Sequence, residues 1–123
     1  MAGFTNYGEN LVINEVLRSR QLYVGLMKAN PEEAGNSSSE VNAISYERQP
    51  TQYIEPKLGE TYNHEDIQFP TATEDWGWIT HIAIFDSKEN GNMILFSALD
   101  FKKEIRAADI YKIPRAYLIF SID

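Results

Sequence analysis

Cysteine is absent from the 123-residue chain, which excludes disulfides, thiol catalysis and cysteine-ligated zinc or iron-sulfur centres. Packing alone has to hold the fold. Long apolar runs are missing too: none approaches the ~20 residues that cross a bilayer, so membrane insertion is not expected. Basic side chains are scarce, 11 lysines and arginines against 18 aspartates and glutamates, a net charge of -7. Binding of nucleic acid through counterion release needs the opposite surplus. The stretch from Met1 to Asn6 lacks the basic start and apolar core of a secretory signal, which predicts a mature protein beginning near Met1 in a cytosol.

The few basic residues are unevenly placed. Lys102, Lys103, Arg106, Lys112 and Arg115 face only Glu104, Asp109 and Asp123 in residues 102–123, a local balance of 5 - 3 = +2 that leaves -9 on residues 1–101. Such asymmetry suits docking on another copy or on an acidic partner, and a solvated mixed surface explains it as well.

A chain of this length has room for one core, with residues 1–20 a helical segment and residues 21–123 a β-sandwich. Its organising stretch is Phe69 to Leu99. Trp78 to Phe85 is nearly all apolar or β-branched, Asp86 to Asn92 is turn-forming, and Met93 to Leu99 is apolar again. Two strands joined by an Asn90-Gly91 loop make a hairpin. Strict alternation puts Trp78, Ile82 and Ile84 on one face and Ile79, Ala83 and Phe85 on the other, so the first strand is expected to be buried on both sides, with Trp78 in the core and His81 facing away from it.

Around the hairpin, Thr5 to about Leu17 reads as a helix capped by Thr5 or Asn6. Its stripe of Tyr7, Leu11 and Val16 or Leu17 should lie on the sheet or on a neighbouring subunit. Leu22 to Met27 is a strand ended by Ala29-Asn30-Pro31. Glu32 to Ser39 is a flexible acidic loop, Ile44 to Tyr53 a weak strand interrupted at Pro50, and Tyr62 to Phe69 a short strand. Phe101 to Ile105, Ile110 to Ile113 and Ala116 to Ile122 complete seven or eight strands. Strands this short, with turn signals every ten or so residues, predict an all-β antiparallel sandwich or barrel with one N-terminal helix.

Chemistry-bearing patterns are thin. A triad of His81, Asp86 and a distant serine is conceivable, but the nucleophile-elbow motif is missing, and a hydrogen-bonded core or interface histidine explains His81 more simply. The acidic pairs Glu32-Glu33, Glu65-Asp66 and Glu74-Asp75 do not follow the alternating ligand pattern of calcium loops. Asp86, Asn90 and Asn92 suit a cation in a turn or a plain hairpin loop. No catalytic residue, cofactor or metal is therefore expected. Tyr46, Tyr53, Tyr62, Trp76 and Trp78 suit either a platform for host-surface carbohydrate or a core and subunit interface.

An ordered string of short motifs carries one further reading. Tyr23-Val24-Gly25-Leu26 is followed by Asn30-Pro31-Glu32-Glu33-Ala34-Gly35, Glu40-Val41, Tyr46-Glu47-Arg48-Gln49, Phe69-Pro70-Thr71-Ala72-Thr73 and Trp76-Gly77. Ile79-Thr80-His81-Ile82-Ala83-Ile84-Phe85-Asp86, Gly91-Asn92 and Ala98-Leu99 continue it. Over Tyr23 to Leu99 the chain resembles small tailed-bacteriophage virion proteins usually labelled phage tail fibre proteins. It departs from them at Asn42-Ala43-Ile44-Ser45, where relatives tend to carry a glycine-rich link. The resemblance implies a β-rich, non-enzymatic virion component, assembled in the host cytoplasm, its partners being its own copies in a homotrimer and other virion proteins. It gives Trp76, Gly77, His81 and Asp86 a role in the fold or a subunit contact, and has Arg48 pair with a carboxylate across an interface. A capsid decoration or cement protein and a carbohydrate-binding module are the alternatives.

Overall fold

A computed structural model describes residues 2–122. Met1, the expected mature start, and Asp123, one of the acids in the C-terminal charge balance, lie outside the described residues. Helix α1 (Asn6–Ile13) is capped by Thr5, whose Oγ1 accepts the Gly8 amide at 3.0 Å, and continues as a wider π-helical turn, Asn14–Arg18. Among the described residues eight strands follow: β1 (Leu22–Met27), β2 (Gln49–Thr51), β3 (Glu60–Tyr62), β4 (Ile67–Gln68), β5 (Gly77–Phe85), β6 (Met93–Ile105), β7 (Lys112–Ile113) and β8 (Ile119–Ser121). All pairings are antiparallel. The main sheet has the order β2-β1-β5-β6, while β3 pairs β8 and β4 pairs β7 as two separate ribbons. The protein is thus all-β with a single short N-terminal helix.

One face of the main sheet is covered by the helix and the ribbons. Leu22, Val24 and Leu26 of β1, Ile79, Ile82 and Ile84 of β5 and Ile105 of β6 meet Ile13, Leu17, Ile67, Phe69, Trp76 and Ile113 in one continuous core. The other face holds a smaller cluster, Met27, Ala83 and Phe85, with Met93 and Phe96 packed beside it. The Glu32–Ser39 loop reaches that cluster, since a Cβ on Gly35 would lie 3.6 Å from Met93.

The alternation expected for β5 fails at one point. Ile79 pairs with Lys103, but His81, two residues on, pairs with Ala98, five residues back along β6. A bulge of this kind removes one step of alternation. Ile79 therefore joins Ile82 and Ile84 in the main core, contrary to the strict two-face assignment. Trp78, its neighbour, is turned out and 48% exposed, which corrects its placement in the core. His81 lies opposite Met27 and so shares the outer face with Trp78 instead of opposing it. Only Ile82 to Phe85 is buried on both sides.

Other boundaries move as well. The helix buries Glu9, Ile13 and Leu17 and leaves Tyr7 and Leu11 exposed, the reverse of the stripe read for Tyr7 and Leu11. The strand expected over Ile44 to Tyr53 shrinks to three residues, with Pro50 on an edge of the sheet, where a missing donor does least harm. The strand expected over Tyr62 to Phe69 is two short ones with different partners. The segments on either side of Asp100 run as one bulged strand, β6.

Candidate functional site

The best-built polar cluster lies on the outer face of the main sheet, where Arg48 is buried. Its Nε and Nη2 donate to Glu40 Oε2 and Oε1 at 2.9 and 2.8 Å, a bidentate fork. Nη1 donates to the carbonyls of Ser87 and Asn90 at 2.9 and 2.7 Å, and the guanidinium carbon stands 3.5 Å above the Phe85 ring centroid. The carboxylate expected across a subunit interface is thus supplied within the chain. Glu40 is placed by its bridge to Met27 at the edge of β1. Tyr46 completes the cluster: its hydroxyl donates to Glu40 Oε2 and accepts the Leu26 amide at 3.1 Å. Burial, and next the Glu40 carboxylate, push that hydroxyl far above the usual tyrosine range, so it stays a donor. Gly25 is required beneath it, because a Cβ there would stand 2.8 Å from Glu40 Oε2 and 2.9 Å from Phe85.

The hairpin loop that Arg48 grips is shaped by Asp86. Its Oδ1 accepts the Asn92 amide at 2.7 Å and its Oδ2 the Asn92 side chain at 3.1 Å. These bonds, the backbone one first, hold the Asp86 carboxyl below its ordinary range. Asn90 and Gly91 supply the two positive φ angles, 56° and 71°, anticipated for this dipeptide. Of the groups considered for a cation, the Asp86 carboxylate is engaged by Asn92 and the Asn90 carbonyl by Arg48. Among the described residues no group of three or more His, Asp or Glu side chains is placed to hold a metal.

A second cluster joins two loops across the inner layer. Ser45 Oγ accepts from Trp76 Nε1 at 3.0 Å and from the Thr73 amide at 3.1 Å, and donates to Glu74 Oε1. Hydrogen bonds from Ser45, side chain first, hold the Glu74 carboxyl below its usual range. Trp76, 2% exposed, meets the Tyr46 ring edge-on at 5.4 Å, and Tyr46 stacks on Phe69 at 6.1 Å.

The remaining residues singled out in the sequence do not converge on a reactive site. His81 Nδ1 lies 2.8 Å from Thr80 Oγ1, while Asp86 is engaged by Asn92, so the two are not paired as a triad requires. Of the five aromatics considered for a sugar platform, Tyr53 and Trp76 are buried and Tyr46 is packed on the core. Tyr62 lies under Arg115 and Trp78 under Lys102, whose Nζ stands 4.8 Å from the ring centroid. Sequence reasoning gives no site role to Glu40 or Ser45 and treats Glu74 only as half of an acidic pair with Asp75. Glu40 stands in the Glu40-Val41 motif and eight residues before Arg48, which was the available signal; Ser45 and Glu74 carry none.

In this all-β chain the Arg48–Glu40 and Ser45–Glu74 clusters fix the chain's own loops. The sequence places the chain in a family of phage fibre proteins: it belongs to the family described as podophage GP4 fiber I protein gp80, matched over residues 3–121. No curated protein matches the chain.

Proposed function

We propose that this protein is a non-enzymatic structural component of a podophage fibre, self-assembling and docked on other virion proteins. The family match over residues 3–121 carries the reading. The polar clusters fit it, because Arg48, Glu40, Ser45 and Glu74 each satisfy partners inside the chain and stiffen loops that a fibre subunit has to hold under load. Trp76, Arg48 and Asp86 serve the fold in this reading, and Trp78 and His81 lie on the sheet face open to subunit contact.

Placing a small epitope tag in the exposed Glu32–Ser39 loop and imaging intact particles tests the proposal. Label on the fibres is expected. Label spread over the capsid surface overturns it in favour of the decoration-protein alternative.

A further inference from the structure

The edge strand of a sheet is normally blunted by lysine, proline or a bulge, because its unpaired backbone groups invite another strand. β6 ends the main sheet, and its second half is blunted in this way by Lys102, Lys103 and the bulge opposite Thr80. Its first half is not. Ile94 to Leu99 carries no charge and no proline, and Leu95 to Ala98 runs in unbroken register. The ladder shows which groups are free. Leu26 directs its amide at the Tyr46 hydroxyl and its carbonyl at the Val41 amide, away from β5, so the backbone groups of Ile82, opposite it, face β6. Ile82 and Ile84 therefore bond Ser97 and Leu95, and the N–H and C=O of Phe96 and Ala98 point off the edge, the Ala98 carbonyl meeting only the Ser97 hydroxyl at 3.4 Å. β8 is in the same condition. The Ile122 amide donates to the Gly59 carbonyl and the Tyr62 carbonyl accepts the Ile54 amide, so Phe120 bonds β3 while Ile119 and Ser121 point away from it. Both edges line one cavity of about 360 Å³ that reaches Leu17, Ile82 and Ile84, and the Tyr117 hydroxyl on one wall lies 3.4 Å from the Asp100 amide on the other.

We infer that this cavity takes an extended segment of another virion protein, added as one strand between β6 and β8, an inference that rests on the docking proposed above. The two edges select the occupant. A strand that already belongs to a sheet has one free edge and would leave the opposite wall unpaired, whereas a lone extended segment bonds both walls. Among the described residues every strand of this chain is paired on at least one side, so a second copy has no such strand to give. A small apolar ligand would cover the backbone groups of Phe96, Ala98, Ile119 and Ser121 without bonding them, which costs free energy. At about 3.3 Å per residue, a segment of roughly five residues spans both walls. Charge narrows its composition: Asp100 is the one charged side chain lining the cavity, in a chain whose net charge is -7, so the segment sets a lysine or arginine against Asp100 and is otherwise uncharged.

Hydrogen exchange read by mass spectrometry, on the purified chain and on the chain in intact particles, tests the added strand. Residues 94–99 and 118–122 should exchange about tenfold more slowly, or slower still, in particles. Ala98→Pro removes an outward amide and no ladder bond, so the variant should melt close to the parent yet enter particles about tenfold less well. If that variant fails to fold, the exchange comparison decides. Equal exchange of both segments in the two states overturns the added strand while the tagged loop on the fibres leaves the docking reading standing; a tag absent from the fibres overturns that reading. Slowing that appears in the purified chain and grows with its concentration overturns the partner and gives the cavity to a second copy.

Discussion

The two faces of the main sheet are stabilised by different means. On the inner face, side chains from nearly every element meet in one apolar core, and the cost of a change there follows the volume removed. On the outer face a three-residue cluster, Met27, Ala83 and Phe85, is too small to hold the covering loops, and a bidentate ion pair with two backbone carbonyls takes over. Burial stabilises the first face, and polar geometry fixes the second.

The largest expected effect lies on the inner face. Trp76→Ala removes a buried ring and leaves Ser45 short of a donor, so a loss of about 3 to 5 kcal/mol is expected in chemical denaturation. Next comes Arg48→Ala, which strands Glu40 beside Tyr46 and frees two loop carbonyls. A loss of about 3 kcal/mol is expected, and Arg48→Lys should restore little because an ammonium cannot form the fork. If Arg48→Ala melts like the parent, the outer face is held by its apolar cluster after all. Trp78→Ala, two residues from Trp76 in sequence, should cost less than about 1 kcal/mol, because half of the ring is in water and its partner is an exposed lysine. A large loss in its thermal melt would mean that the outer ring is packed.

The smallest effect is a pH dependence. The Asp86 carboxyl is held below its ordinary range when folded, so the unfolded chain binds its proton first as pH falls. Its contribution is present above the unfolded pKa of about 4 and fades as pH drops through the folded value. Asp86→Asn lacks that contribution throughout. The gap in melting temperature between parent and variant should be widest near neutrality and close in acid; a constant gap would refer the effect to shape alone.

Strands whose neighbours are set by their own composition could be read directly. Leu22 to Met27 was legible to the residue because an apolar run stops at Asn30-Pro31. Asn90-Gly91 located the hairpin because few other dipeptides supply two positive φ angles. The helix presented two stripes at helical spacing, Tyr7 with Leu11 and Ile13 with Leu17, and nothing local ranks them. The bond from Gly59 to Asn10, 49 residues away in sequence, belongs to the choice of inward side. Trp78 was misplaced for a related reason: the bulge at Thr80 arises from how β6 pairs, and β5 alone carries no sign of it. Arg48 was recognised as half of an ion pair, but the proximity of Glu40 depends on the chain returning to the edge of β1.

The ribbon of β3 and β8 sets an order of events in synthesis. Glu60 pairs with Ser121, and Asn63, fully buried, receives the Leu118 amide and donates to the Pro114 carbonyl. Covering the inner face of the sheet therefore waits until residues 112–122 have left the ribosome, long after the β1 and β5 strands have emerged. A nascent chain stalled before residue 112 displays Leu22, Ile82 and Ile84 without β7 and β8 to close over them. Copies that lack β7 and β8 thus leave part of the apolar core uncovered, the kind of surface that chaperones and proteases recognise.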